Sequence, residues 1–261
     1  MKNLFLFLFL LVVFTSKAQD NRVSGLNSRQ FTKYWKVESE SPDYKVTFQG
    51  DTAEIVSPKG LTLWRKEKMS GKVTIEYDAC VVVESDGDRL SDLNCFWMAS
   101  DPQYPDNLWK REKWRSGIFL NCYSLQLYYL GYGGNHNSTT RFRRYDGDES
   151  GITNPKARPA ILKEYTDAGH LLKPNHWYHI KITNENNRVS YYIDGERLVD
   201  FRDAEPLREG WFGFRTTLSR TRITNFSYEC SSQEAAAVPW QWIGEPPRQD
   251  KAVSFGVPFD K

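Results

Sequence analysis

The sequence predicts an all-β protein built as a jelly roll, a sandwich of two packed antiparallel sheets. Three observations carry this. Short segments of alternating or β-branched apolar residues recur along the chain, each bounded by turn residues. Asn184-Glu-Asn-Asn187 and Asp194-Gly195 are hairpin signals, the second matching the favoured two-residue turn. No long stretch has the apolar spacing of an amphipathic helix.

In chain order, Met1-Lys2-Asn3 is a short basic start, Leu4 to Phe14 is almost wholly apolar, and Ser16 and Ala18 are small. That pattern is a secretory signal peptide over 1–18, cut after Ala18, and it predicts a periplasmic or secreted protein. The apolar run is too short to span a bilayer. No cysteine follows the cut, so a lipid anchor is not expected, and no later segment is apolar enough to suggest a membrane anchor. Residues 19–230 then read as one domain of a size that single β-sandwiches commonly reach.

Val73 to Val83 alternates, turns apolar, and meets the turn-rich Glu84-Ser-Asp-Gly-Asp88. Further strands are predicted at 94–99, 117–121, 124–131, 139–145, 177–184, 188–193, 196–201, 210–216 and 221–228. Residues 101–116 and 146–176 are polar insertions, and loops of such length in a compact β-domain often carry function. From Ser231 to Lys261 the chain has four prolines and no strand pattern, yet it holds Trp240 and Trp242. It reads as an extended arm lying against the domain.

A formal net charge of +2, with acids and bases interspersed, gives no electrostatic case for nucleic acid or an anionic membrane. Cys80, Cys95, Cys122 and Cys230 lack metal-ligand spacing. Cys80 and Cys95 sit in successive strands and an oxidising compartment permits a bond, but a large core needs no staple, so buried thiols are expected. Aromatic residues make up 15% of the chain and include nine tryptophans. In an exported β-protein that raises the case for sugar binding, since ring faces stack on the C–H faces of pyranoses.

The stretch Tyr128 to Gly147, "YYLGYGGNHNSTTRFRRYDG", concentrates hydrogen-bonding and cationic groups at one turn. Strand alternation puts Leu125, Leu127 and Tyr129 on one face and Gln126, Tyr128 and Leu130 on the other. Gly131, Gly133 and Gly134 let the backbone turn or approach a ligand. Beyond them come Asn135, His136 and Asn137, then Arg141 and Arg143 on one face and Arg144 on the other.

Three readings are open. A histidine or tyrosinate base, a tyrosine acid and an arginine are the parts needed for β-elimination of a uronate-containing glycan. The same groups can hold a sugar without reacting. Or the arginines only pair with Asp146, Asp148 and Glu149 at the surface, which is worth little. The first reading makes His136, Tyr129 and Tyr132 the candidate catalytic residues. Arg141, Arg143, Asn135 and Asn137 are candidate saccharide ligands. Trp109 and Trp114, in the upstream insertion, serve equally well as stacking platforms or as loop anchors.

His170 lies in the long insertion, and His176 and His179 flank Trp177-Tyr178, where packing explains them. The jelly-roll glucanase pattern Glu-x-Asp-x-x-Glu is absent, with Glu76-Tyr-Asp78 only half of it, which argues against that hydrolase class. Asp86-Gly-Asp88 with Asp92, and Asp146-Gly-Asp148, hint at calcium but lack a terminal bidentate glutamate, so acidic turns are expected and no cofactor.

The segments "HWYHIKITNENNRVSYYIDGERLVDF" and "GWFGFRTTLSRTRITNFSYE" resemble the closing strands of concanavalin-like jelly rolls. Together with the Tyr128–Gly147 stretch and the upstream Trp-rich loop, the chain resembles a bacterial secreted domain-of-unknown-function family (6250). Its last strands are similar to the "GxxGFR…F" pattern of keto-disaccharide hydrolases and to a family associated with rhamnogalacturonan use. The resemblance implies a concanavalin-like jelly roll in glycan catabolism and implies no catalytic residue. Alginate-lyase-like jelly rolls are only loosely echoed by Tyr129-Leu-Gly-Tyr-Gly-Gly-Asn135, which has no lysine. The expected function is cleavage of an acidic plant or algal glycan by elimination, the alternatives being hydrolysis of a keto-disaccharide or other oligosaccharide, or glycan binding without turnover. The expected partner is a poly- or oligosaccharide, and the expected state a monomer.

Overall fold

The structure, a computed structural model, describes residues 23–231. The leader read over 1–18 and all but the first residue of the arm lie outside the described residues. Among the described residues fourteen strands are formed: β1 (Val23–Ser24), β2 (Trp35–Ser39), β3 (Lys45–Gln49), β4 (Thr52–Arg65), β5 (Met69–Ser70), β6 (Lys72–Val81), β7 (Leu93–Ser100), β8 (Gln126–Gly133), β9 (Thr139–Asp146), β10 (Lys163–Tyr165), β11 (Tyr178–Glu185), β12 (Arg188–Ile193), β13 (Glu196–Arg202) and β14 (Glu209–Ser231). All pairings are antiparallel.

Two strands run through both layers. The first half of β14 pairs with β7 and the second half with β6, while β4 follows its other edge. The first sheet is therefore β10-β9-β8-β7-β14-β4-β2 and the second β3-β4-β14-β6-β11-β12-β13. Leu218, exposed and with a left-handed φ of 50°, marks the bulge between Thr217 and Ser219 where β14 passes from one sheet to the other. A bulge bends a strand and adds twist, so one strand can serve two layers.

Between the sheets lies the main core. Trp97 of β7 is fully buried, with Tyr128, Phe142 and Tyr191 at ring distances of 5.7, 6.0 and 6.1 Å. Tyr191 belongs to the second sheet, so this cluster fastens one layer to the other. All four cysteines are unpaired, three of them buried. Asp194 and Gly195 both have positive φ, as the hairpin they were read to form requires.

The strand predicted at 117–121 is absent. Ser116 and Gly117 take left-handed backbone, and Leu120–Ser124 coils into a 3-10 turn. The segments 210–216 and 221–228 are one continuous strand, and β1 to β5 are additions, with β4 running unbroken through Pro58, Lys59 and Gly60.

The two insertions also take defined places. The first, read as 101–116, runs on to 125 because no strand forms at 117–121, and it packs over the outer face of the first sheet, where Leu108 and Leu125 join Trp64, Phe96, Leu127, Tyr145 and Trp211 in a second core. Arg115, fully buried, holds this insertion down through Glu38 Oε2 (2.9 Å) and the carbonyl of Leu108 (2.7 Å). The 146–176 insertion adds β10 beside β9 and carries His170, which bonds Asp167 (2.8 Å) and Glu196 (3.2 Å) and stacks on Tyr165.

Burial opposes the charged imidazole of His170, but the two carboxylates outweigh it and raise its pKa. A raised histidine contributes stability that is complete below its unfolded value of about 6.5 and is lost as pH rises through the folded value. His170→Ala should therefore lower the melting temperature more at about pH 5 than at about pH 8.5. Calorimetry at both pH values checks this, and equal losses would mean that the ring acts by packing alone.

Candidate functional site

A cleft of about 480 Å³ opens on the face of the first sheet turned away from the core, where the 101–125 insertion stops covering it. Its floor follows from register. One transverse row runs Thr62, Arg215, Asn94, Gly131, Arg141, Glu164 over β4, β14, β7, β8, β9 and β10. The next runs Gly213, Phe96, Tyr129, Arg143. Side chains two apart share a face, so the polar members of both rows emerge together.

Gly131 is the low point. A Cβ there would come within 2.3 Å of Tyr129 Oη, so the tyrosine ring lies along its own strand over the glycine. The ring packs against Phe96, Phe119 and Tyr145, and its hydroxyl makes no hydrogen bond to a described residue. Burial first, and then the charge of Asp92, raises the Tyr129 pKa well above that of an exposed phenol. Tyr129 is thus a protonated donor aimed into the cleft. Tyr123 stands beside it, its pKa also raised by burial.

Five arginines line the same space: Arg89, Arg141, Arg143, Arg158 and Arg215. Arg89 pairs with Asp92 Oδ2 (2.6 Å) and donates to the Thr217 carbonyl (2.8 Å). Arg141 pairs with Glu164. The others are held by backbone carbonyls, Arg143 by Pro159, Arg158 by Gly151 (3.3 Å) and Arg215 by Gly117 (2.5 Å). The surface pairing open on the sequence is not formed, for Glu149 is taken by Arg111 and Arg144 turns to Asp203 (2.7 Å).

At the rim, Asn135, His136 and Asn137 all have left-handed backbone, with φ of 51°, 57° and 57°. Asparagine tolerates this region better than most residues, and three in succession persist only when the surroundings hold them. Asn137 supplies that hold. Its side chain donates to the Leu172 carbonyl (2.9 Å) and accepts from the Leu172 N–H (2.8 Å). Gly133 starts the turn at φ 66°, where a Cβ would strike Leu172. The result is an exposed His136 over the cleft, its Nδ1 facing Arg89 Nε at 3.5 Å.

Of the residues singled out on the sequence, His136, Tyr129, Asn135, Arg141 and Arg143 meet at this cleft. Four others do not, which corrects the expectation for each. Tyr132 is two residues past Leu130 and so faces the inter-sheet core, buried against Tyr178 with its hydroxyl on the Leu171 carbonyl. Asn137 works as a brace for the turn. Trp109 packs edge-on against Trp211, and Trp114, 43% exposed, carries the Arg111 guanidinium 4.2 Å from its ring centre. Both tryptophans thus serve the insertion.

Sequence reasoning missed Arg89, Arg158, Arg215, Asp92, Asn94 and Tyr123. Arg215 carried no local signal, because it reaches the cleft only through the pairing of β14 with β7. Among the described residues no group of acids, histidines or cysteines is arranged to hold a metal ion. Asp88 closes its own turn by accepting from Glu84 and Ser85, and Asp148 does so through Ser150.

Residues 55–226 match the family described as Domain of unknown function (DUF6250). The chain belongs to that family. The DUF6250 match runs from within β4 to within β14 and takes in every cleft residue named above. No curated protein matches the sequence. Among solved structures, a Bacillus subtilis protein of unknown function with a galectin-like fold superposes with a TM-score of 0.63 at 15% identity, covering 80% of this chain and 94% of that one. The VIP36 exoplasmic/lumenal domain, bound to Ca2+ and Man3GlcNAc, gives 0.53 at 9% identity, with 83% and 91% covered. The Emp47p carbohydrate recognition domain gives 0.51 at 14%, with 82% and 96% covered. These likenesses establish the fold, a concanavalin-like and galectin-like jelly roll. No helix among the described residues is long and apolar enough to cross a membrane.

Proposed function

We propose that this DUF6250 protein is an exported carbohydrate-active protein that holds an acidic, uronate-containing saccharide in the arginine-lined cleft and breaks it by β-elimination. The observation that carries this is the convergence of five arginines on a floor where a protonated tyrosine hydroxyl has no partner among the described residues. Two structural neighbours of the same fold are described with carbohydrate, VIP36 with Man3GlcNAc and Emp47p as a recognition domain, which supports a saccharide over other anions.

The chemistry fits the parts. An arginine at the uronate carboxylate acidifies the C5–H bond. His136 takes that proton on the ring nitrogen now facing Arg89, a contact long enough to yield to a ligand. The electron pair left at C5 forms the C4–C5 double bond as the C4–O bond breaks. Tyr129 delivers its proton to the departing oxygen. Hydrolysis by a carboxylate pair is less favoured, because of the two acids lining the cleft Asp92 already accepts from Arg89, Ser91 and Asn94, and Glu40 accepts from the N–H of Gly60.

That same occupancy favours a second reading, capture without turnover. Incubating the purified mature protein with acidic and neutral polysaccharides separates the two. Ultraviolet absorbance from an unsaturated uronate is expected together with new reducing ends. Reducing ends without absorbance would contradict elimination, and binding with neither signal would make the protein a capture module.

A further inference from the structure

Charge in the cleft is unevenly matched. Arg89 faces Asp92 and Arg141 faces Glu164, each within ion-pair distance. Arg143, Arg158 and Arg215 have no carboxylate within 4 Å among the described residues, and their partners there are carbonyls and the Thr62 hydroxyl. Arg215 is only 3% exposed. The charge of Glu38, itself paired with Arg115, reaches Arg215, and Glu40 Oε2 and Arg215 Nη2 both border the space beside Gly60 without pairing, so an anion in the cleft would give this largely dry guanidinium a direct counter-charge.

The three converge on one end of the cleft. Arg143 stands opposite Tyr129 in register, and Phe119 packs against both Tyr129 and Tyr123, so the two tyrosines lie among the three cations. The Arg158 guanidinium is 5.9 Å from the Tyr123 ring centre, and that of Arg215 is 5.6 Å from the Phe119 ring centre. Glu40 is the further acid lining the cleft, held to the N–H of Gly60 (3.1 Å). Counting it, five guanidiniums face three carboxylates, which leaves two positive charges in excess.

We infer that the cleft takes two anionic groups at once, the uronate carboxylate and a second anionic oxygen group beside it, both read by Arg143, Arg158 and Arg215. This rests on the acidic-saccharide reading above. An O-sulfate on the same residue and the carboxylate of a neighbouring uronate share the required chemistry. Planar guanidiniums suit either, because each offers paired N–H donors to two oxygens. Ligands carrying a single charge would leave one excess cation unanswered in a partly dry site.

Calorimetric titration of length-matched oligosaccharides tests the inference. The four probes are neutral, with one uronate, with two adjacent uronates, and with one uronate bearing a sulfate. At least one doubly charged ligand should bind wild type about tenfold or more tighter than the singly charged one. Which of the two does so identifies the source. Arg158→Gln, at an exposed position, should shrink that ratio severalfold. Arg143→Gln should act likewise, with thermal unfolding confirming an intact fold in both.

Equal affinity for singly and doubly charged ligands, both above neutral, would overturn the inference and spare the acidic-saccharide reading. No preference for any charged ligand over the neutral one would overturn both.

Discussion

Tyr129→Phe is expected to lower turnover of a uronate-containing polysaccharide by about 10²- to 10⁴-fold, the range for losing a positioned proton donor. Affinity should change little. The ring contacts with Phe96, Phe119 and Tyr145 survive the substitution, and the lost hydroxyl makes no bond within the described protein. Stability should therefore stay near wild type. Single-turnover rates measured beside equilibrium binding make the comparison. Unchanged turnover would remove Tyr129 as the acid.

Gly131→Ala offers an independent route to the same point. The new methyl would lie 2.3 Å from the Tyr129 hydroxyl and must push it aside. Turnover should fall without deletion of any functional group, by a factor approaching that of the phenylalanine variant. If the alanine variant is fully active, the hydroxyl does its work from somewhere other than the floor above Gly131.

Trp97→Ala should have the largest effect on stability, about 3–5 kcal/mol, as expected for emptying a fully buried large aromatic site. Trp97 is packed among Tyr128 and Phe142 of its own sheet and Tyr191 of the facing one. These rings cannot close the gap without moving a strand. Because β7, β8 and β9 carry Asn94, Tyr129 and Arg143 on their opposite face, binding should weaken along with folding. Denaturant unfolding measures the first effect, and a loss below about 1 kcal/mol would show that the sheets are held elsewhere.

Strand alternation made much of this legible in the sequence. It separated Tyr129 from Tyr128 correctly, because a period of two on a half-covered sheet leaves little choice. The same rule excludes Tyr132, whose parity is that of Tyr128, although its place among glycines beside His136 suggested otherwise. Arg215 stood in the "GWFGFR" segment, read as a mark of fold, and its role depends on β14 lying next to β7. That pairing joins residues more than a hundred positions apart and has no local signature. Arg158 is harder still, since its position depends on how the 146–176 insertion folds back. Trp109 and Trp114 look alike as exposed or anchoring aromatics until the surfaces they meet are known.

The most direct measurement of the central claim is binding of one uronate polysaccharide before and after chemical reduction of its carboxyl groups to alcohols. Chain length, linkage and ring shape are kept, and only the charge is lost. If the arginine-lined cleft reads acidic saccharides, the native polymer binds and the reduced one does not. Equal binding of both would contradict the account, because the arginines would then be bystanders to whatever the cleft holds.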